Sequence, residues 1–213
     1  MSENPTLAVI GGTGYAGGHI TREAVARGYG VTVVSRHDPA DAAPGVTYVR
    51  GEISDEDLLR RLAKDHDVVA IAVSAASTDL LGAMPVIAEA VDAGSARLAV
   101  VGGAGSLVAP GGGRLVDSPD FPAAFRPEAL AHADVLTWLQ KNGDGIDWVY
   151  LSPAVGFGSF APGERTGTYR TGDDTPVFAE DGSSQISGAD YALAFVDELA
   201  SHRHVNRRFT VGY

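Results

Sequence analysis

The sequence predicts an α/β fold, with a mostly parallel sheet of six to seven strands and helices on both faces, in one domain spanning residues 1–213. Three observations carry that prediction. Short apolar runs rich in β-branched residues alternate with segments of helical periodicity, the pattern of strands buried on both faces and joined by crossover helices. A glycine cluster stands between the first apolar run and the first helical segment. Two long polar, Gly- and Pro-rich stretches interrupt the alternation, and each follows a predicted strand.

The elements follow in chain order. Thr6–Ile10 is an apolar run stopped by glycines and reads as a buried strand. Gly17–Arg27 is a helix with Ile20, Ala24 and Ala26 available to pack. Val31–Ser35 is the second strand, and Val46–Arg50 the third, after a loop of Pro, Gly and Ala. Ser54 and Asp57 have the spacing of a capping box with Asp in place of Glu, and Leu58, Leu59 and Leu62 continue it as a helix. Asp67–Val73 is the fourth strand. Leu80–Ala93 is a helix that Pro85 is expected to delay or kink. Arg97–Val101 is the fifth strand. Pro127–Lys141 is a helix with proline in its first turn and Ala129, Ala133, Leu136 and Gln140 on one face. Asp147–Leu151 is the sixth strand. Ser187 and Asp190 cap a last helix with an apolar stripe of Ala192, Phe195, Val196 and Leu199. Arg208–Val211 can close the sheet as a seventh strand. The interruptions, residues 102–126 and 154–187, leave the carboxyl edge of the sheet, where ligands of open α/β sheets bind. They are expected to form the substrate-side walls of the same domain.

Composition narrows the partners. With 16 basic against 27 acidic residues the net charge is −11, so the chain lacks the basic footprint of a nucleic-acid binder. Zero cysteine excludes disulfides, zinc–thiolate sites and thiol redox chemistry. No apolar run reaches the roughly 18 residues of a membrane span. Met1–Thr6 is polar and lacks the charged, apolar and small-residue order of a signal peptide, so a cytoplasmic location is expected. The expected partner is a small molecule, and the expected state a monomer or homodimer. The 27 glycines are nearly twice the usual share of about 7%. They concentrate in Gly11–Gly18, Gly102–Gly113 and Gly156–Gly172, each after a predicted strand.

Gly11-Gly12-Thr13-Gly14-Tyr15-Ala16-Gly17 is a Gly-x-x-Gly-x-x-Gly loop between the first strand and the first helix. Glycine there permits a tight turn and close approach of main-chain N–H groups to a pyrophosphate, and the helix N-terminus favours the anion. The fold class is therefore a Rossmann-type doubly wound sheet. The second strand ends Val34-Ser35-Arg36. An acid at that point would bond a ribose 2′-hydroxyl, whereas Arg36 can fork onto a 2′-phosphate, so NADP(H) is favoured over NAD(H). Asp38 is the counter-signal. Glu52 and Ile53, just after strand three, are placed to contact adenine.

The loop, with Val101-Gly102-Gly103-Ala104-Gly105-Ser106-Leu107, Asp117-Ser118-Pro119-Asp120-Phe121-Pro122, Asp147-Trp148-Val149-Tyr150-Leu151-Ser152-Pro153-Ala154, Pro162-Gly163-Glu164-Arg165-Thr166-Gly167 and the C-terminal stretches Ile186–Ala192 and Arg208–Tyr213, resembles a known group. The chain is similar to atypical short-chain dehydrogenase/reductases of the NAD(P)H-binding, NmrA-like family, and more narrowly to NAD(P)H-flavin reductases of the biliverdin-IXβ/flavin reductase type. The resemblance implies that Gly11, Thr13, Gly14, Tyr15 and Gly17 hold the pyrophosphate, with Gly12 in the same cofactor-binding loop, and that Arg36 meets the 2′-phosphate. It further implies that Ser74 and Ala75 line the ribose side, that Gly102 and Gly103 pass the nicotinamide ribose, and that Pro153 and Ala154 pack near the carboxamide.

One expected motif is missing. Short-chain dehydrogenases use Tyr-x-x-x-Lys, and no tyrosine here is followed four residues later by a lysine; the lysines are Lys64 and Lys141. Reducing a ketone calls for a positioned acid, whereas flavins and quinones spread the charge they receive. The expectation is an NADPH-dependent oxidoreductase passing hydride to a flavin, as substrate, or to another planar acceptor. The alternatives are a reductase of a small carbonyl or enone, and a non-catalytic NADP-binding sensor of NmrA type. Ser106, beyond strand five, and His132, early in the fourth helix, are the candidate catalytic residues; a turn residue and a packed histidine are the plainer readings. Phe157, Phe160 and Tyr169 are candidates for an apolar substrate wall. Arg165 and Arg170 could meet a flavin phosphate or lie on the surface. His202 and His204 suggest a metal pair but lack a third ligand, so no metal site is assigned.

Overall fold

In the computed structural model, which describes residues 4–39 and 42–213, the core is one eight-stranded sheet. The strands are β1 (Thr6–Ile10), β2 (Gly30–Ser35), β3 (Val46–Arg50), β4 (Val68–Ile71), β5 (Arg97–Val101), β6 (Trp148–Ser152), β7 (Arg170–Gly172) and β8 (Arg207–Gly212). The helices are α1 (Tyr15–Ala26), α2 (Glu56–Asp65), α3 (Leu80–Gly94), α4 (Arg126–Asn142) and α5 (Gly188–Ser201). The strand order is β3-β2-β1-β4-β5-β6-β8-β7, parallel throughout except for β7. From β1 the chain winds outward to β3, then returns to lay β4 on the other side of β1. That reversal makes the topological switch point, the place where doubly wound folds bind their ligands.

Alternation along each strand divides the core into two layers. Ala8, Ile10, Val69, Ile71, Leu98, Val100, Trp148 and Tyr150 face α2, α3 and α4. Leu7, Val9, Val68, Ala70, Ala99, Val101, Val149 and Leu151 face α1 and α5. Strands buried on both faces carry apolar residues at every position, which is why they read as continuous runs in the sequence.

Local chemistry shifts several boundaries. α1 begins at Tyr15, two residues early, because Gly14 takes the extended N-cap conformation. The cap of α2 is Asp55, whose carboxylate accepts the Leu58 amide at 2.9 Å; the Ser54–Asp57 box does not form. α3 continues through Pro85. Leu81, whose carbonyl Pro85 cannot serve, lies at the surface, where water can take the missing bond. Ser187 caps α5 as expected, accepting the Asp190 amide at 3.1 Å. The strand count exceeds the expected six to seven because of β7, a three-residue edge strand with no apolar signature, antiparallel to β8.

Candidate functional site

A cleft runs along the carboxyl edge at the switch point, in two connected halves that share Ala72, Val73 and Ser74. The first half, about 560 Å³, lies over the ends of β1, β2 and β3 and is lined by Gly11, Thr13, Gly14, Ser35, Arg36, Glu52, Ile53 and Ser74 among others. The second, about 410 Å³, lies over β5 and β6 between the two wall segments.

The glycine loop has the shape a dinucleotide requires. Gly11 has φ +85°, and a Cβ there would sit 2.4 Å from the Ala72 carbonyl oxygen. A Cβ on Gly17 would sit 2.3 Å from the Gly11 carbonyl oxygen, and one on Gly12 would collide with Val33. Gly12 and Gly17 thus serve by allowing close packing behind the cleft. Among the described residues no side chain caps the N-terminus of α1, and no acid stands in its first turn, so its amides and positive dipole end are left for an anion. Arg36 is exposed on the cleft wall. Tyr15 instead turns its ring into the second half; its hydroxyl donates to the Pro162 carbonyl at 3.2 Å and accepts from the Gly188 amide at 3.1 Å.

In the second half, Gly102 and Gly103 end β5 beneath Tyr150. A Cβ on Gly102 would lie 2.1 Å from the Tyr150 ring. The fully buried Tyr150 hydroxyl accepts the Gly103 amide at 3.0 Å and donates to the His132 carbonyl at 3.0 Å. Burial raises its pKa, so it stays a neutral phenol. Ser152 donates to the Gly103 carbonyl at 3.0 Å. Pro153, Ala154, Phe157 and Phe160 line the same space.

His132 is buried on this wall, and its Nε2 is 3.2 Å from Glu128 Oε1, one helical turn back. Its Nδ1 is buried and has no hydrogen-bond partner among the described residues. Glu128 also accepts from Ser74 Oγ (2.7 Å) and from the amides of Ala75 (2.8 Å) and Ala76 (3.0 Å). Burial works against its ionisation, but the bonds from His132, Ser74, Ala76 and Ala75 prevail and hold its pKa at about 2. This carboxylate therefore ties α4 to the loop after β4, which both halves of the cleft share. The sequence reading missed Glu128 because it looks like an ordinary first-turn acid. Ala75 turns out to act through this bond, since it does not itself line the cleft.

Six positions singled out in the sequence fall elsewhere. Ser106 does not line the cleft; its hydroxyl accepts from Arg208 at 3.0 Å on the inner side of the turn. Tyr169 faces α5, donating to Asp197 at 2.6 Å, because it precedes β7 on the far side of β8. Arg165 pairs with Glu23 at 2.9 Å, and Arg170 donates to the carbonyls of Phe178 and Tyr213. His202 and His204 diverge, the first to Asp147 at 2.9 Å and the second to Glu198 at 2.7 Å. Among the described residues no three His, Asp or Glu side chains converge as a metal site, and no helix is long and apolar enough to cross a membrane.

A bare glycine loop feeding an uncapped helix, at the switch point of a doubly wound sheet, defines a nicotinamide-dinucleotide-binding protein of Rossmann class. The chain belongs to the NAD(P)H-binding family, whose model matches residues 11–202, and within it to the atypical short-chain dehydrogenase/reductase type. It is 38% identical over 214 residues to the Bacillus subtilis protein YwnB, itself uncharacterised, covering 96% of this chain and 97% of that one. A Streptococcus pneumoniae structure provisionally named an NADH-flavin reductase is 35% identical, with a TM-score of 0.87 over 98% of this chain and 99% of that one. A Bacteroides thetaiotaomicron structure provisionally named an epimerase is 34% identical, with a TM-score of 0.88 over 99% and 98%.

Proposed function

We propose that the protein is a cytoplasmic NAD(P)H-dependent oxidoreductase that prefers NADP(H) and reduces a planar acceptor, a flavin or a quinone. The observation that carries this reading is the composition of the second half of the cleft. It is continuous with the dinucleotide half and walled by Phe121, Phe125, Phe157 and Phe160, with Glu128 and His132 as its ionisable pair. The glycine loop and the N-terminus of α1 would hold the pyrophosphate, and Arg36 the 2′-phosphate. Bound NAD(P)H supplies the hydride, two electrons in all. The acceptor then needs one proton, and His132, oriented by Glu128, is the imidazole on the wall that would give it. The name of the Streptococcus pneumoniae relative, which specifies NADH and a flavin, agrees with the acceptor, and the NADP(H) preference rests on Arg36 alone. Epimerase chemistry of the Tyr–Lys type has no support here, because among the described residues no lysine lines the site, and the hydroxyl of Tyr150 beneath it is fully buried with both hydrogen bonds made to backbone groups.

The test follows the loss of NADPH absorbance with riboflavin, a naphthoquinone and a simple ketone as acceptors. Turnover with the planar acceptors and none with the ketone is the expected result. Ketone-only turnover, or tight NADPH binding without turnover on any acceptor, would overturn it. His132→Ala should slow turnover without weakening NADPH binding, by no more than the low end of the roughly 10²–10⁴-fold of general acids, since the acceptor delocalises charge.

A further inference from the structure

Resting on the reading of the second half of the cleft as an acceptor site, we infer that this site selects uncharged planar rings and discriminates against acceptors that carry a phosphate. Among the described residues, no arginine or lysine lines it, and its one carboxylate is Glu128. That carboxylate is ionised at every pH at which the protein would work.

The walls offer no reserve of positive charge. Segments 102–126 and 154–187 contain four arginines and no lysine, against seven acids, a balance of −3 (4 − 7). All four arginines are committed. Arg114 is forked onto Asp117, and Arg126 donates to the carbonyls of Val116, Ser118 and Phe121. Arg165 holds Glu23, and Arg170 holds the Phe178 and Tyr213 carbonyls. Recruiting any of them to a ligand phosphate would break bonds already made. The whole chain carries −11, and the phosphates of a bound dinucleotide add more negative charge beside the site. An anionic acceptor meets like charge and gains no partner, which is discrimination by repulsion.

What the site does offer is aromatic surface. Phe125 from one wall and Phe160 from the other stack across the mouth, ring centroids 5.0 Å apart and planes 25° apart. They remain 46% and 62% exposed, two large rings left in water where a third flat ring can cover them. Gly158, at φ +146°, makes room for this: a Cβ there would lie 2.6 Å from the Phe160 ring.

Riboflavin and FMN share one ring system and differ by a phosphate, so they isolate the charge. Each is titrated into the protein saturated with NADP⁺, with quenching of flavin fluorescence as the readout, at low and high salt. Riboflavin should bind at least about tenfold more tightly at low salt, and the gap should narrow as salt screens the repulsion. Phe160→Arg, which adds a cation at the mouth, should shift the preference toward FMN. FMN binding as tightly as riboflavin, or a gap that salt does not touch, would overturn the inference. If neither flavin binds, the inference and the acceptor reading fall together. If riboflavin binds preferentially but is not reduced, the charge selectivity stands and only the proposed reaction fails.

Discussion

Glu128 shows how a single residue can join two parts of the site. Its folded-state pKa of about 2 lies below its ordinary value of 4.5, so its ionised form stabilises the fold. That stabilisation is complete above about pH 4.5 and disappears as pH falls toward 2. The side chain is 39% exposed, so solvent screening reduces the gain to about 1–2 kcal/mol. Glu128→Gln should therefore melt about 3–6 °C below the parent at pH 7, with the gap closing near pH 2–3. Melts that stay equally far apart at both pH values would show that the charge is not the cause. Arg36 is the other residue whose effect can be isolated. Arg36→Ala should weaken NADPH binding by about 10–100-fold, the scale of a lost charge-assisted hydrogen-bond pair, and leave NADH binding unchanged; competitive fluorescence titration of both cofactors measures it. That Gly11, Gly14 and Arg36 line the cleft is legible in the sequence, because a local turn and a strand end suffice to place them. Glu128 is not, because its partners Ser74–Ala76 lie more than fifty residues earlier and meet it only when the start of α4 reaches the loop after β4. Ser106 misled for the converse reason: its neighbour Gly105 lines the cleft, and one residue's rotation in the turn sends its hydroxyl to Arg208.

At the scale of elements, the β1–loop–α1 unit depends on backbone packing against backbone. Ala at position 17 would drive its methyl into the Gly11 carbonyl, which no side-chain rotation can relieve. Gly17→Ala is expected to cost about 1–3 kcal/mol by overpacking and to reduce dinucleotide affinity as the loop shifts. Gly28→Ala is the control: position 28 has no atom within 4 Å of the added methyl, so it tests only the positive φ of +81° far from the loop. It should lower the melting temperature while leaving the cofactor Kd unchanged. Strand positions were well read because burial on both faces leaves an unbroken apolar run, and β1, β3 and β5 match to the residue. Caps were read less well, since Ser54 and Asp55 both suit an N-cap and only the docked orientation of α2 chooses Asp55. β7 carries no signal in its own three residues and exists because β8 offers it an edge.

For the whole molecule, the cleft joins segments that lie far apart in the chain. Its dinucleotide half is bounded by the β1–α1 loop, the ends of β2 and β3 and the loop after β4, which belong to both core layers. None of these surfaces exists together in the unfolded chain, so a dinucleotide binds the native state alone and shifts the folding equilibrium by mass action. At a hundred times its Kd, NADPH should stabilise the fold by about 2.7 kcal/mol, which for a chain of this size raises the melting temperature by about 5–10 °C. The order of cofactors then separates folding from recognition. Melting shifts at equal free concentration should rank NADPH above NADH in the parent protein. In Arg36→Ala the two should become equal, with the apo melting temperature unchanged because Arg36 is exposed and makes no hydrogen bond or ion pair within the described residues. A lowered apo melting temperature in Arg36→Ala would mean the residue supports the fold. A preserved NADPH advantage would mean that 2′-phosphate recognition lies with another residue of the cleft.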